Sequence, residues 1–155
     1  MSIRHNIVTA LQTRLAHIYS GFEIILPDET YVCSSSPKSV SIWRTTPYSL
    51  AQVPAIGIWD TDQELDETIG PDGCQRWKLS VTVVGFVAGA AASEATRIIQ
   101  DDIIACIGSD PTLDGLALWC RIPAVKMIID ESGAEVVAGC EISVEVLYRA
   151  GLWRI

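Results

Sequence analysis

The feature that most constrains this chain is the continuous passage Gln75–Ala117. It opens with the alternating run Q-R-W-K-L-S-V-T-V-V-G-F-V-A, in which Trp77, Leu79, Val81 and Val83 share one side and Lys78, Ser80 and Thr82 the other. That period of two is the signature of a strand with one buried face. A small-residue joint, G-A-A-A-S, follows, and then E-A-T-R-I-I-Q-D-D-I-I-A-C-I-G at helical period. Ala92, Ala95, Ile99, Ile103, Cys106 and Ile107 fall on one side of this helix, with Glu94, Arg97 and Asp101 opposite. Ser93 is the expected N-cap and Gly108 the stop, after which Asp110-Pro111 reads as cap and first residue of a short helical turn. A strand that leads into a helix packed back over it demands a sheet with one covered face.

The flanking segments supply that sheet. Ile3, Ile7, Leu11, Leu15 and Ile18 recur at helical spacing, so Ser2 is expected to cap a helix over Ile3–Tyr19 that Gly21 ends. Short strands are expected at Phe22–Leu26 and Ser39–Trp43, and another at Pro54–Asp60. The last enters an acidic loop, Thr61–Gly73, that carries Asp62, Glu64, Asp66 and Glu67 and closes on a Gly-Pro-Asp-Gly turn signal. Trp119–Ile129 reads as a strand whose Pro123 marks an edge or a bulge. After a turn at Asp130–Ala134, Val136–Tyr148 alternates cleanly, with Ala138, Cys140, Ile142, Val144 and Val146 inward. The apolar Leu152, Trp153 and Ile155 at the end of the chain are candidates for docking, on this subunit or on a neighbour. The expected fold is a single α+β domain over residues 1–155: a mainly antiparallel sheet of four to five strands with two amphipathic helices packed on one face. Strand runs around single helices do not repeat as βαβ units, which disfavours a Rossmann arrangement.

Composition limits the function classes. At 155 residues a domain buries roughly 68–70% of its unfolded surface, enough for a full core. A hydrophobic content of 49% exceeds what a small monomer needs and leans toward subunit contacts. The net charge of −8 opposes any sequence-independent grip on nucleic acid, which requires Lys and Arg against phosphates. Met1–Ala10 is polar and helical rather than a secretory leader, and the longest apolar stretch, Val81–Ala92, is too short to span a bilayer, so no membrane partner is expected.

Catalytic and metal-binding patterns are missing. His5 and His17 are the only histidines, about 120° apart around a helix and unable to share a metal or a proton. The five cysteines, Cys33, Cys74, Cys106, Cys120 and Cys140, show no C-x-x-C or C-x-x-H spacing and read as reduced, structural thiols in a reducing compartment. The run D-T-D-Q-E-L-D-E-T lacks the central glycine of an EF-hand loop. Ser34–Ser36 has no base nearby in sequence, and Gly85-Phe86-Val87-Ala88-Gly89 has neither a phosphate-loop ending nor a dinucleotide spacing. Those glycines read as a joint between strand and helix. The chain is therefore expected to be no enzyme and to carry no cofactor, metal or catalytic residue.

The order of parts resembles that of the tail terminator (tail completion) proteins of long-tailed bacteriophages, the phage lambda terminator-like family. The likeness covers about Ser2–Tyr148 and rests on four pieces. They are the helix S-I-R-H-N-I-V-T-A-L-Q-T-R-L, the strand P-A-I-G-I-W-D with its acidic sequel, the passage ending D-P-T-L-D-G-L-A, and the final strands ending E-V-L-Y-R. What the resemblance implies is a non-catalytic virion subunit that forms a ring, usually a hexamer, on the head-proximal end of the tail tube. Its partners would be further copies of itself, the tail tube protein and a head-completion or neck protein, with DNA passing through without specific binding. It would reside in the virion tail, and in the bacterial host cytoplasm during assembly. Asp62, Glu64, Asp66 and Glu67 would then be lumen or ring-face candidates. Neck proteins share much of this pattern, so a head–tail adaptor is an alternative. A small-ligand module using the sheet face beneath the helices is another.

Overall fold

The computed structural model describes residues 2–69, 73–130 and 137–151, with the backbone alone at 67–69 and 130. Helix α1 spans Ile3–Leu15, and its cap is the expected one: Ser2 Oγ accepts the His5 N–H at 3.2 Å. Strands β1 (Glu23–Ile25) and β2 (Thr30–Val32) form a separate antiparallel hairpin. Strand β3 (Val40–Ile42) and a 3-10 turn at Leu50–Gln52 precede β4 (Ala55–Ile69) and β5 (Cys74–Ala88). Helix α2 (Ala92–Gly108), β6 (Trp119–Asp130) and β7 (Val137–Ala150) complete the order.

The main sheet runs β3-β4-β5-β7-β6, and every pairing in it is antiparallel except β3 with β4. Both helices lie on one face, α1 over β3 and β4, α2 over β5 and β7. The core forms where Leu79, Val81 and Val83 of β5 and Cys140, Ile142 and Val144 of β7 meet Ile99, Ile103 and Ile107 of α2. Ile7, Leu11 and Leu15 of α1 seal the β4 side. Gly85 sets the depth of this packing, because a Cβ there would stand 3.1 Å from both Ile99 Cγ2 and Cys140 Sγ. The joint before α2 is Gly89, whose φ of +107° is a conformation that glycine adopts without strain. The α+β architecture thus follows the expectation, and β6 is indeed an edge strand, with its register shifted between Arg121 and Ala124, around Pro123.

Several local expectations are corrected. The acidic segment is no loop: β4 continues through it, so Asp62, Glu64, Asp66 and Glu67 are strand residues. Its alternation is broken by two register shifts, between Asp60 and Gln63 and between Leu65 and Glu67, which hide the period of two. Helix α1 stops at Leu15, and Gly21 (φ +95°) instead opens the β1–β2 hairpin, donating its N–H to Cys33 O at 2.8 Å. Ala91, not Ser93, occupies the N-cap of α2, and Gly89 O takes the Ala92 N–H at 3.1 Å. Asp110–Gly115 is a series of turns rather than a helical turn, because Leu113, Asp114 and Gly115 all have positive φ. Strand β2 had no sequence signal of its own. The expected turns at 70–72 and 131–134, and the tail residues Leu152, Trp153 and Ile155, lie outside the described residues.

Two substitutions test the packing. A Cβ at Gly139 would fall 2.6 Å from Gly85 O, a backbone atom that cannot yield cheaply. Gly139→Ala should therefore cost about 1–3 kcal/mol in urea unfolding. The buried Tyr148 hydroxyl has no hydrogen-bond partner among the described residues, so Tyr148→Phe should change stability by less than about 1 kcal/mol. A neutral Gly139→Ala or a strongly destabilised Tyr148→Phe would contradict this account.

Candidate interaction surface

The acidic residues of β4 stand on a ladder, and β5 supplies opposite charges across it. Glu64 faces Lys78 in register and pairs with it at 3.0 Å, which holds the Lys78 ammonium pKa above its ordinary value. Asp66 pairs with Arg76. Glu67 lies opposite Arg76 in register, and Asp62 is exposed with no ion-pair partner among the described residues. On the same open side of the sheet Glu145 pairs with Arg121 at 2.6 Å. The four acidic candidates are thus spread along one strand, and two of them are neutralised. Among the described residues no cluster of His, Cys, Asp or Glu could hold a metal ion.

The remaining carboxylates near the core tie elements together. Burial alone would raise the pKa of Asp60, but hydrogen bonds from the Trp43 indole and the Arg4 guanidinium bring it below the ordinary value. This joins α1, the end of β3 and β4. Asp110 accepts from the Thr112 hydroxyl and from Arg14, and these bonds hold it well below the usual carboxylate range. Arg14 also donates to Asp110 O at 2.7 Å, pinning the Asp110–Gly115 turns against α1.

Asp102 is the residue that sequence reasoning missed. It is 0% exposed on the inner side of α2 and has no ion-pair partner among the described residues. Instead it accepts from the Tyr31 hydroxyl at 2.7 Å, the Ser35 N–H at 2.7 Å, the Ser34 N–H at 3.2 Å and the Ser35 hydroxyl. Burial, and then the bond to Asp102, push Tyr31 above its usual range; burial, and then the nearby charge of Asp102, raise Cys33 to about 11. One signal was available in the sequence: Asp102 lies three residues after Ile99 and four before Cys106, on the buried stripe, where a carboxylate needs donors. No histidine completes the Ser35–Asp102 pair. His5 is exposed and meets Thr9, and His17, beyond the end of α1, stacks on Phe22. The arrangement anchors the hairpin segment to α2.

Among the described residues, apolar surface stands open in several places, two of them on the main sheet. The first is the free edge of β6. From Ala124 to Ile129 every residue is exposed, and Val125, Met127, Ile128 and Ile129 are apolar. Val125, Met127 and Ile129 stand opposite Ile142, Cys140 and Ala138, so they share the helix-covered side of the sheet, yet Ile129 is 64% exposed. The sheet runs past its cover there. The second is a cleft of about 390 Å³ on the opposite face, where the chain between β3 and β4 crosses the sheet. Tyr48, Trp59 and Phe86 line it, and the Arg44 guanidinium lies 4.3 Å from the Tyr48 ring centre. The space beneath the helices, by contrast, is filled by core side chains.

Comparison with known protein families and with curated proteins returned no match to this chain. Its fold and its surfaces therefore carry the functional argument.

The carboxylates with lowered pKa give the protein an acid limb. Their contribution is complete above the unfolded carboxylate pKa of about 4 and is lost as pH falls toward the folded value. Asp110→Asn should lower the urea midpoint at pH 7 and flatten its decline below about pH 4. Parallel curves for the variant and the parent chain would show that Asp110 contributes nothing to acid sensitivity.

Proposed function

We propose that this chain is a structural tail protein of a phage or prophage. In this reading it forms a ring on the head-proximal end of the tail tube, stops tube growth and offers a surface to the head-completion protein. The observation that carries the reading is the exposed apolar edge of β6, unpaired among the described residues, in a small domain whose polar centres tie elements together. An edge of this kind is a template for pairing with another chain. The order of motifs along the sequence supplies the choice of partner.

The mechanism is physical capping. One face of the ring matches the end of the tube, and the other lacks the edge that the next tube subunit requires, so elongation ends. Contacts between subunits are heterologous and close into a ring when the rotation between neighbours allows it. The net charge of −8 keeps DNA from adhering as it passes, by like-charge repulsion. No catalytic step is needed, and none is assigned.

The test is tube elongation. With a cognate tube protein polymerising in vitro, added chain should shorten the tubes and appear at one end of each by electron microscopy. Tubes of unchanged length with bare ends would reject the reading. Capture by a portal complex in place of the tube would reassign the chain to the neck.

A further inference from the structure

The cleft on the sheet face opposite the helices has walls that are held in place. Gly57 of β4 has no side chain, and the Trp59 ring occupies that space: a Cβ at Gly57 would stand 2.2 Å from Trp59 Cη2. Phe86 of β5 meets Trp59 edge-on, with 6.5 Å between ring centres, and meets Tyr48 at 5.0 Å with the rings tilted. Tyr48 is itself fixed, because its hydroxyl donates to Ile56 O at 3.2 Å and meets the Ser41 hydroxyl. Tilted and edge-on contacts are the favoured geometries of aromatic pairs, so the three rings support one another without collapsing into a flat stack. The cleft of about 390 Å³ that they line falls in the size range of small-molecule sites.

One cation stands in this apolar wall. The Arg44 guanidinium lies over the Tyr48 ring, and its Nε donates to Thr46 O at 2.7 Å and its Nη2 to Gln52 Oε1 at 3.0 Å. Both acceptors are neutral. The chain has 19 acidic residues against 11 basic ones, yet Arg44 has no ion-pair partner among the described residues. Its Nη1 amino group meets no acceptor among them either. A guanidinium oriented by a ring and two acceptors, with donors to spare, is preorganised for a carboxylate. We propose that this cleft binds a small monocarboxylate with a flat aromatic body, its carboxylate on Arg44 and its ring among Tyr48, Trp59 and Phe86. The aromatic walls select the body, and the single guanidinium selects the charge. A sugar or an inorganic phosphate, polar on every side, would lose hydration against the rings without hydrogen bonds in return. The site goes beyond the tail reading and does not depend on it, since it lies away from the β6 edge and needs no second copy.

The probe is cinnamate, with cinnamamide as its uncharged match, each titrated into the full isotope-labelled chain and followed by NMR. Cinnamate should bind saturably with a Kd below about 1 mM, and its nuclear Overhauser contacts should fall on Tyr48, Trp59 and Phe86. Cinnamamide should bind roughly tenfold or more weakly, because it cannot form the charge-assisted pair with Arg44. Arg44→Gln should remove that preference, so that acid and amide bind alike, and Trp59→Ala should weaken both. The comparison of the two probes on the unaltered chain decides the matter even where a variant fails to fold. No saturable binding below about 1 mM, contacts on any other surface, or equal affinity of the parent chain for acid and amide overturns the proposal. So does a folded Arg44→Gln chain that still prefers the acid, or a folded Trp59→Ala chain that binds cinnamate as tightly as the parent.

Discussion

The structure depends on a mismatch of lengths. Helix α2 has 17 residues and so extends about 25 Å, whereas β5 has 15 residues and extends about 50 Å. Helix α1, with 13 residues, is shorter still. Two helices lying on one face cannot cover a sheet of that size, so the chain handles the excess in two ways. Along the β4–β5 extension the surface is charged, and Glu64–Lys78 and Asp66–Arg76 make the ladder self-sufficient in water. Along β6 it stays apolar. The second choice is costly, because it leaves apolar surface in water that the described residues do not cover.

The same economy explains the polar interior. Asp60, Asp102 and Asp110 each gather donors from segments distant in sequence, and each fixes a piece of chain that hydrophobic packing leaves loose. Asp102 holds the excursion between α1 and β3, Asp60 joins α1 to the end of β3, and Asp110 locks the turns that lead into β6. Asp60 and Asp102 are buried with their donors in place, so burial does not isolate them, and Asp110 is only half-buried.

Much of the fold was legible in the sequence, and the parts that were not share a cause. β5, β7 and α2 announced themselves because each has one wholly buried face, which imposes a strict period. The edge position of β6 was legible from Pro123, which cannot donate to a ladder. The second half of β4 was not, because cross-strand pairing with Lys78 and Arg76 stabilises a run of carboxylates that has poor strand propensity. β2, three residues long, had too few positions to show any period. Among surfaces, the charges of Asp62, Glu64, Asp66 and Glu67 were evident, but their compensation was not, since it depends on register. Asp102 was overlooked because a helix is read by its apolar positions, and a buried carboxylate breaks that pattern without signalling where its donors are.

One consequence of the Asp102 anchor concerns completeness. Its donors come from Tyr31, Ser34 and Ser35, so the seat of the hairpin exists only where α2 is packed against this segment. The outward face of the hairpin is therefore held in place only in a chain whose helix is seated. Whatever recognises that face would be reading a certificate of completed folding, and immature chains would be left out of any assembly built upon it.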